Sequence, residues 1–293
     1  MDVEIVRKKR VLSKEEADAL VGEPVPDLEP NLTRASIVID DDTEEPILAY
    51  LPMDRHVTRE LREAVLEIRY SETMRAASGL RNRSRTFGMA PRNPTVRLEH
   101  CRPTSLAREQ PDAHNTIAEL SRYLGQQLLE IFPDVATRDR ETLAGLIEDE
   151  WRMAEDSLWT SGVINKTSTL PYHRDGFNFD TWSAMPVVRK RTDGGYTTFA
   201  EHDITVGSRD GWAQYFCGYR WVHGVTPMAV GEGGYRYSVV YYALRGMKDC
   251  FTYAVETASA QHKRTEREST QARRLTGEEE WADQFVTVRK ADG

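Results

Sequence analysis

Apolar residues recur with a helical period through the first half of the chain and with a strand period through the second. Ser13, Lys14, Glu15 and Glu16 form a capping box, predicting a short helix that ends before Gly22 and the proline-rich loop 23–30. Ser36–Ile39 and Ile47–Leu51 read as short strands around an acidic turn at 40–45. Val57, Leu61, Ala64, Val65 and Ile68 share one helical face, and Ile117, Leu120, Leu124, Leu128 and Ile131 share another. Leu143, Ile147 and Trp151 predict a third helix. From Ser78 to Gln110 the chain is rich in Arg, Pro, Ser and Asn, and only 96–100 looks strand-like, so a long ordered loop or hairpin is expected.

After about Ser157 the pattern becomes alternating, with strands expected at 158–165, 182–189, 195–199, 203–207, 212–217, 221–226 and 235–243. Short strands at such spacing predict an antiparallel barrel or jelly roll. From Glu256 onward the chain is charged and helical, with a second capping box at Thr276-Gly277-Glu278-Glu279. The expected fold class is α+β, with N-terminal helices buttressing the strand core. The expected organisation is an N-terminal α/β region with an Arg-rich loop over 1–156, a catalytic strand core over 157–248 and a charged helical segment over 249–293.

Composition narrows the function. With 39% hydrophobic and 29% charged residues the chain is an ordinary globular protein. No stretch approaches the roughly 18 consecutive apolar residues of a membrane helix, and no export signal is visible, so no membrane partner is expected. Cys101, Cys217 and Cys250 are odd in number, widely spaced and without a CxxC, which predicts neither a disulfide framework nor structural zinc, and a cytoplasmic location. The formal charge of −8 argues against a general nucleic-acid coat protein. Against that average, Arg75, Arg81, Arg83, Arg85, Arg92, Arg97, Arg102 and Arg108 are accompanied by a single acid, Glu99. They suit phosphate contacts; the alternative is a set of salt bridges to the acidic N-terminal region.

His173-Arg174-Asp175 puts an imidazole and a carboxylate at i and i+2, on one face of an extended segment. With His223, several strands later, they could supply the two-histidine, one-carboxylate set of non-haem iron oxygenases. A structural histidine is the competing reading of an HxD pair alone. Alternation along 236–242 then places Arg236, Ser238, Val240 and Tyr242 on one face. A guanidinium inside an apolar barrel requires an anion, and the distal carboxylate of 2-oxoglutarate, with Ser238 adding a hydroxyl, is such a partner. The competing reading is a surface arginine on an edge strand. His202, beside Glu201 and Asp203, reads as a solvated turn. Trp182, Trp212 and Trp221 read as barrel core rather than stacking platforms, and Gly194-Gly195 and 231–234 as hairpin turns rather than phosphate loops.

Residues 165–244 resemble the Fe(II)- and 2-oxoglutarate-dependent dioxygenases, specifically the TET/JBP group that oxidises the methyl of 5-methylpyrimidines in DNA. The resemblance rests on His173-Arg174-Asp175 followed by Asn178, on Gly194-Gly195-Tyr196-Thr197-Thr198-Phe199, on His223-Gly224-Val225-Thr226-Pro227-Met228, and on Arg236, Ser238, Val240 and Tyr242 at alternate positions. It implies a double-stranded β-helix, a cupin-like jelly roll. It also implies iron on His173, Asp175 and His223, 2-oxoglutarate on Arg236 and Ser238, and the extruded base on Asn178 and Tyr242. The implied partners are O2 and DNA containing 5-methylcytosine, with Arg81, Arg83 and Arg85 as candidate phosphate contacts. Two departures follow: the cysteine-rich zinc modules of the animal enzymes are missing, and Leu244 stands where those enzymes have a histidine. Such a compact chain looks more like the members found in bacteriophages. The expected activity is hydroxylation of 5-methylcytosine to 5-hydroxymethylcytosine. Thymine, a free nucleotide, a small metabolite or a protein side chain are alternative substrates, and a DNA-binding module without catalysis is the alternative from another class.

Overall fold

The computed structural model describes residues 3–70, 72–74, 81–93 and 99–276, the side chains of 72–74, 81, 82 and 274 excepted. The strand expected at 96–100 falls mostly outside these residues, as do the capping box at 276–279, Arg75 and Arg97.

The chain runs β1 (Glu4–Lys8), α1 (Lys14–Asp18), β2 (Ser36–Asp40), β3 (Pro46–Pro52), α2 (Arg55–Glu67), β4 (Glu72–Met74), β5 (Arg81–Ala90), β6 (Arg102–Pro103), α3 (Ser105–Glu109), α4 (Pro111–Ile131) and α5 (Pro133–Ala144). It continues through β7 (Ser161–Lys166), β8 (Leu170–His173), β9 (Ser183–Gly194), β10 (Thr197–Phe199), β11 (Ile204–Val206), β12 (Trp212–Phe216), β13 (His223–Val225), β14 (Met228–Tyr242) and α6 (Tyr253–Thr276). The helix start expected at Ser13 is present, and the structure adds three more. Ser13 and Glu16 exchange both capping hydrogen bonds, Asp54 caps α2, and α4 and α5 open on a proline, where the missing N–H costs nothing.

Two sheets build the body. The larger has the order β1-β2-β3-β12-β9-β14-β7-β5-β4, with β6 against β5; the smaller is β11-β10-β13-β8. Period-2 alternation sorts the side chains of the large sheet between two cores. Tyr215, Tyr237, Val239 and Tyr241 pack with Leu61 and Val65 of α2 and Ile117, Leu124 and Leu128 of α4. On the other face Leu48, Tyr50, Met185 and Phe216 meet Phe199, Ile204 and Val206 of the small sheet, with Val240 against them. This second interface is the jelly-roll interior. The central strands are covered on both sides, which is why residues 183–188 are all buried. Hydrogen bonds from Tyr241 Oη to the Ile117 carbonyl (2.8 Å) and from Tyr215 Oη to Gln127 (2.7 Å) register α4 on the sheet.

Of the loop or hairpin expected over 78–110, the hairpin is present as the antiparallel pair β5–β6, and β5 also pairs with β7 from Arg83↔Lys166 to Gly88↔Ser161. Three local expectations are corrected. Leu143, Ile147 and Trp151 do share a buried cluster, but through the end of α5 and a 3-10 turn at Asp149–Trp151, not through one helix. His202 is buried, not solvated, and hydrogen-bonds Asp40 at 3.0 Å. Residues 231–234 form a bulge inside β14, where its register on β9 shifts, rather than a hairpin turn.

The cysteines differ as well. Cys101 and Cys250 are joined in a disulfide, with Cα atoms 5.8 Å apart, while Cys217 is free and buried. The bonded pair is 149 residues apart in sequence, so spacing alone could not suggest it. Trp182 and Trp221 are buried, as core tryptophans should be, and Trp212 is partly so. Among the described residues no helix is long and apolar enough to cross a membrane.

Candidate metal centre and anion cradle

His173 closes β8 and His223 opens β13, and the antiparallel pairing of these strands sets them directly opposite one another. Their ring centroids are 4.3 Å apart. Asp175 lies just past β8, fixed by its N–H donating to the Gly218 carbonyl at 2.9 Å. Its two carboxylate oxygens each approach one imidazole Nε2 at 3.8 Å. One donor atom from each of the three residues falls within 4.8 Å of the others.

The rings are aimed by their far nitrogens. His173 Nδ1 lies 2.8 Å from the Pro171 carbonyl, and His223 Nδ1 lies 2.9 Å from that of Trp221. A carbonyl only accepts, so each Nδ1 carries the proton and each Nε2 turns its lone pair toward the carboxylate. Burial, with the neighbouring His173 adding to it, lowers the pKa of His223 and keeps it in the neutral form that a metal ligand requires. Phe216 and Phe199 wall the His223 ring at 5.1 and 6.1 Å. The side chains of His173 and Asp175 keep 30% and 25% of their exposure, so the cluster opens to solvent on that side.

Gly218 makes the cluster possible. A Cβ there would stand 2.3 Å from Asp175 Oδ2 and 3.2 Å from His223 Cε1, so any other residue would displace the carboxylate. Sequence reading offered no signal for it, because the constraint appears only once three distant segments meet.

Arg236, on β14, is fully buried, and none of its three guanidinium nitrogens has a partner among the described residues. Leaving such a charge uncompensated costs several kcal/mol, on the order of 3–5 for a buried pair that has lost one partner. Burial and the neighbouring Arg189 push its pKa down to about 9. Arg189 is paired with Arg236 across β9 and donates to the carbonyls of Gly194 (3.0 Å), Ser208 (3.3 Å) and Thr192. Room for the Arg236 side chain comes from Gly195, at φ +68°, whose Cβ would meet Arg236 Cδ at 2.8 Å. Ser238 follows on the same face and is buried. A carboxylate would give this fork the bidentate acceptor it lacks. The donor set of the triad likewise fits ferrous iron with coordination positions left open.

The remaining candidates separate into two groups. Asn178 is buried, donates its N–H to the Asp175 carbonyl at 2.9 Å and bridges Leu244, which brings the end of β14, with half-buried Tyr242, beside the turn that carries Asp175. The arginines are elsewhere. Arg83 and Arg85 lie on β5, and alternation puts them with Phe87, whose ring packs on Tyr241 at 5.0 Å on the helix-covered face. That face is opposite the one bearing Arg236. Arg85 pairs with Glu109, inside the N-terminal region 1–156, and Arg92 with Glu256, outside it. The Arg81 side chain lies outside the described residues.

The class defined by this fold and these side chains is a double-stranded β-helix with two histidines and an aspartate at one opening and a buried arginine on the facing sheet. No protein-family model matches the chain, and no curated protein does. Among solved structures, NgTET1 in complex with 5mC DNA superposes with a TM-score of 0.58, covering 85% of this chain and 84% of its own at 18% identity, so the two share a fold. A 2OG-Fe(II) oxygenase family oxidoreductase from Burkholderia pseudomallei aligns at a TM-score of 0.42 and 13% identity, covering 84% of this chain and 100% of its own. OsALKBH1 aligns at 0.40 and 12%, covering 67% of this chain and 97% of its own.

Proposed function

We propose that the protein is an Fe(II)- and 2-oxoglutarate-dependent dioxygenase that hydroxylates the methyl group of 5-methylcytosine in DNA. The observation that carries the reading is Arg236: three buried, unpartnered nitrogens in the same jelly roll as the His173, Asp175 and His223 donors. A dicarboxylic co-substrate answers both features, one end for the fork and the other for the open metal positions. NgTET1, which shares the fold, was solved with 5mC DNA, and that supports methylated DNA as the substrate.

In this reading His173, Asp175 and His223 hold the iron and Arg236 with Ser238 holds the distal carboxylate. When bound, iron and co-substrate supply the oxidation: one atom of O2 enters succinate as carbon dioxide leaves, and the other is inserted into the methyl C–H bond. The chain's own work is positional. Phe199 and Phe216 keep water from one side of His223. The Asn178 amide meets the polar edge of the pyrimidine, and the Tyr242 ring stacks on its face, so that the methyl points at the metal.

The test is succinate formation with iron, 2-oxoglutarate and oligonucleotide duplexes containing 5-methylcytosine, cytosine or thymine, using the parent protein and Arg236→Lys. Stimulation by the 5-methylcytosine duplex is expected. The lysine variant keeps the charge but loses the fork, so its KM for 2-oxoglutarate should rise at least tenfold. Stimulation by the thymine duplex instead would reassign the base, and an unchanged KM would remove the co-substrate assignment.

A further inference from the structure

Phe177 lies between the metal-cluster residue Asp175 and the base candidate Asn178, yet its side chain is 85% exposed, more than any other large hydrophobic residue among those described. It does not sit on a loose loop. Gly176 N–H donates to the Arg174 carbonyl and Asn178 N–H to the Asp175 carbonyl, both at 2.9 Å. The Phe177 carbonyl itself accepts from Arg245 N–H at 2.9 Å, and Phe179 N–H donates to Ala243, also at 2.9 Å. The fold therefore holds an uncovered aromatic ring on a pinned turn. Phe177 is two residues from Asp175, which keeps its Cα within about 7 Å of the Asp175 Cα.

The surroundings specify the partner. Tyr219, next to Gly218, is 37% exposed, and the Arg245 guanidinium lies 5.4 Å from its ring centroid. That guanidinium also donates to the Gly176 carbonyl, so it is held by a neutral oxygen and keeps its charge toward solvent. A stacking surface bordered by a solvent-facing cation, on the turn that carries Asp175, suits a base step and its phosphate. A base can reach the metal cluster only after leaving the duplex, and the gap it leaves must be filled or the helix closes again.

We infer that Phe177 is the wedge that enters the duplex beside the target base, with Arg245 on the adjacent phosphate. The inference rests on DNA being the substrate. A wedge acts only where there is a stack to open, so its signature is the preference for duplex over single strand. The experiment measures kcat/KM for one 5-methylcytosine oligonucleotide as duplex, as duplex with a mismatch opposite the target, and as single strand, in the parent, Phe177→Ala and Phe177→Trp.

In Phe177→Ala the ratio of duplex to single-strand kcat/KM should fall at least tenfold. The mismatch should recover most of that loss, and Phe177→Trp should keep a ratio near that of the parent. A ratio in Phe177→Ala equal to the parent's, with the parent active on duplex, overturns the wedge and leaves the substrate assignment standing. A parent that oxidises no DNA overturns both.

Discussion

At the scale of single residues, Gly218 and Arg236 set the two halves of the centre by opposite means. Besides the carbonyl that accepts the Asp175 N–H, Gly218 contributes space, since a methyl there would stand 2.3 Å from Asp175 Oδ2. Gly218→Ala should therefore lower affinity for a divalent metal at least tenfold, in the range of losses caused by disturbing residues that orient metal ligands. Titration with Co(II), followed by its absorption spectrum, measures this; parent-like affinity in the alanine variant would mean the carboxylate is not held there. Arg236 contributes a charge with nowhere to go. Its place beside Ser238 on one face was legible from alternation, and the meeting of His173 and Asp175 from their i, i+2 spacing, because both signals are local. Gly218 was not, because the contact it avoids is made by a segment more than forty residues earlier in the chain. Neither was the exposure of Phe177, which no pattern of polarity announces.

At the scale of elements, α2 and α4 followed from their helical periodicity, and most core strands from short apolar or alternating runs. β5 did not: its sequence is rich in Arg, Asn and Ser, which carry turn and loop signals, and its strand state comes from pairing with β7, β4 and β6. The same strand makes a pH-sensitive joint with α4. Gly88 N–H donates to buried His114 Nε2 at 3.1 Å, a bond that only the neutral imidazole can accept. Burial holds the folded pKa of His114 below its ordinary 6.5. A group with a depressed folded pKa takes its proton more readily in the unfolded chain, so its contribution is present above about pH 6.5 and is lost as the pH falls below it. The melting temperature of the metal-free protein should accordingly drop between pH 7 and pH 5. His114→Gln can accept the same bond without titrating, so it should flatten that slope; an unchanged slope would mean His114 does not contribute to it.

At the scale of the whole molecule, two features were hidden by averages. A net charge of −8 does not report which charges border the opening, where Arg174 and Arg220 are spent on Asp18, Glu201 and Asp180 while Arg245 has no acid partner among the described residues. Cysteine count and spacing could not reveal the Cys101–Cys250 link, which ties the chain after β5 to the segment after β14, next to the buried Glu256 that accepts from Cys101 and Phe251 N–H groups. The fold expected from the sequence and the jelly roll observed agree because the strand pattern, the two cores and the likeness to NgTET1 describe one architecture. What that architecture does to its substrate is decided by the product. Duplex DNA carrying 5-methylcytosine, incubated with the iron-loaded protein, 2-oxoglutarate and O2, is digested to nucleosides and weighed by mass spectrometry. 5-Methylcytosine should be replaced by a species heavier by one oxygen atom, with succinate formed in equal amount. Succinate formed while all the 5-methylcytosine survives would contradict the proposed activity.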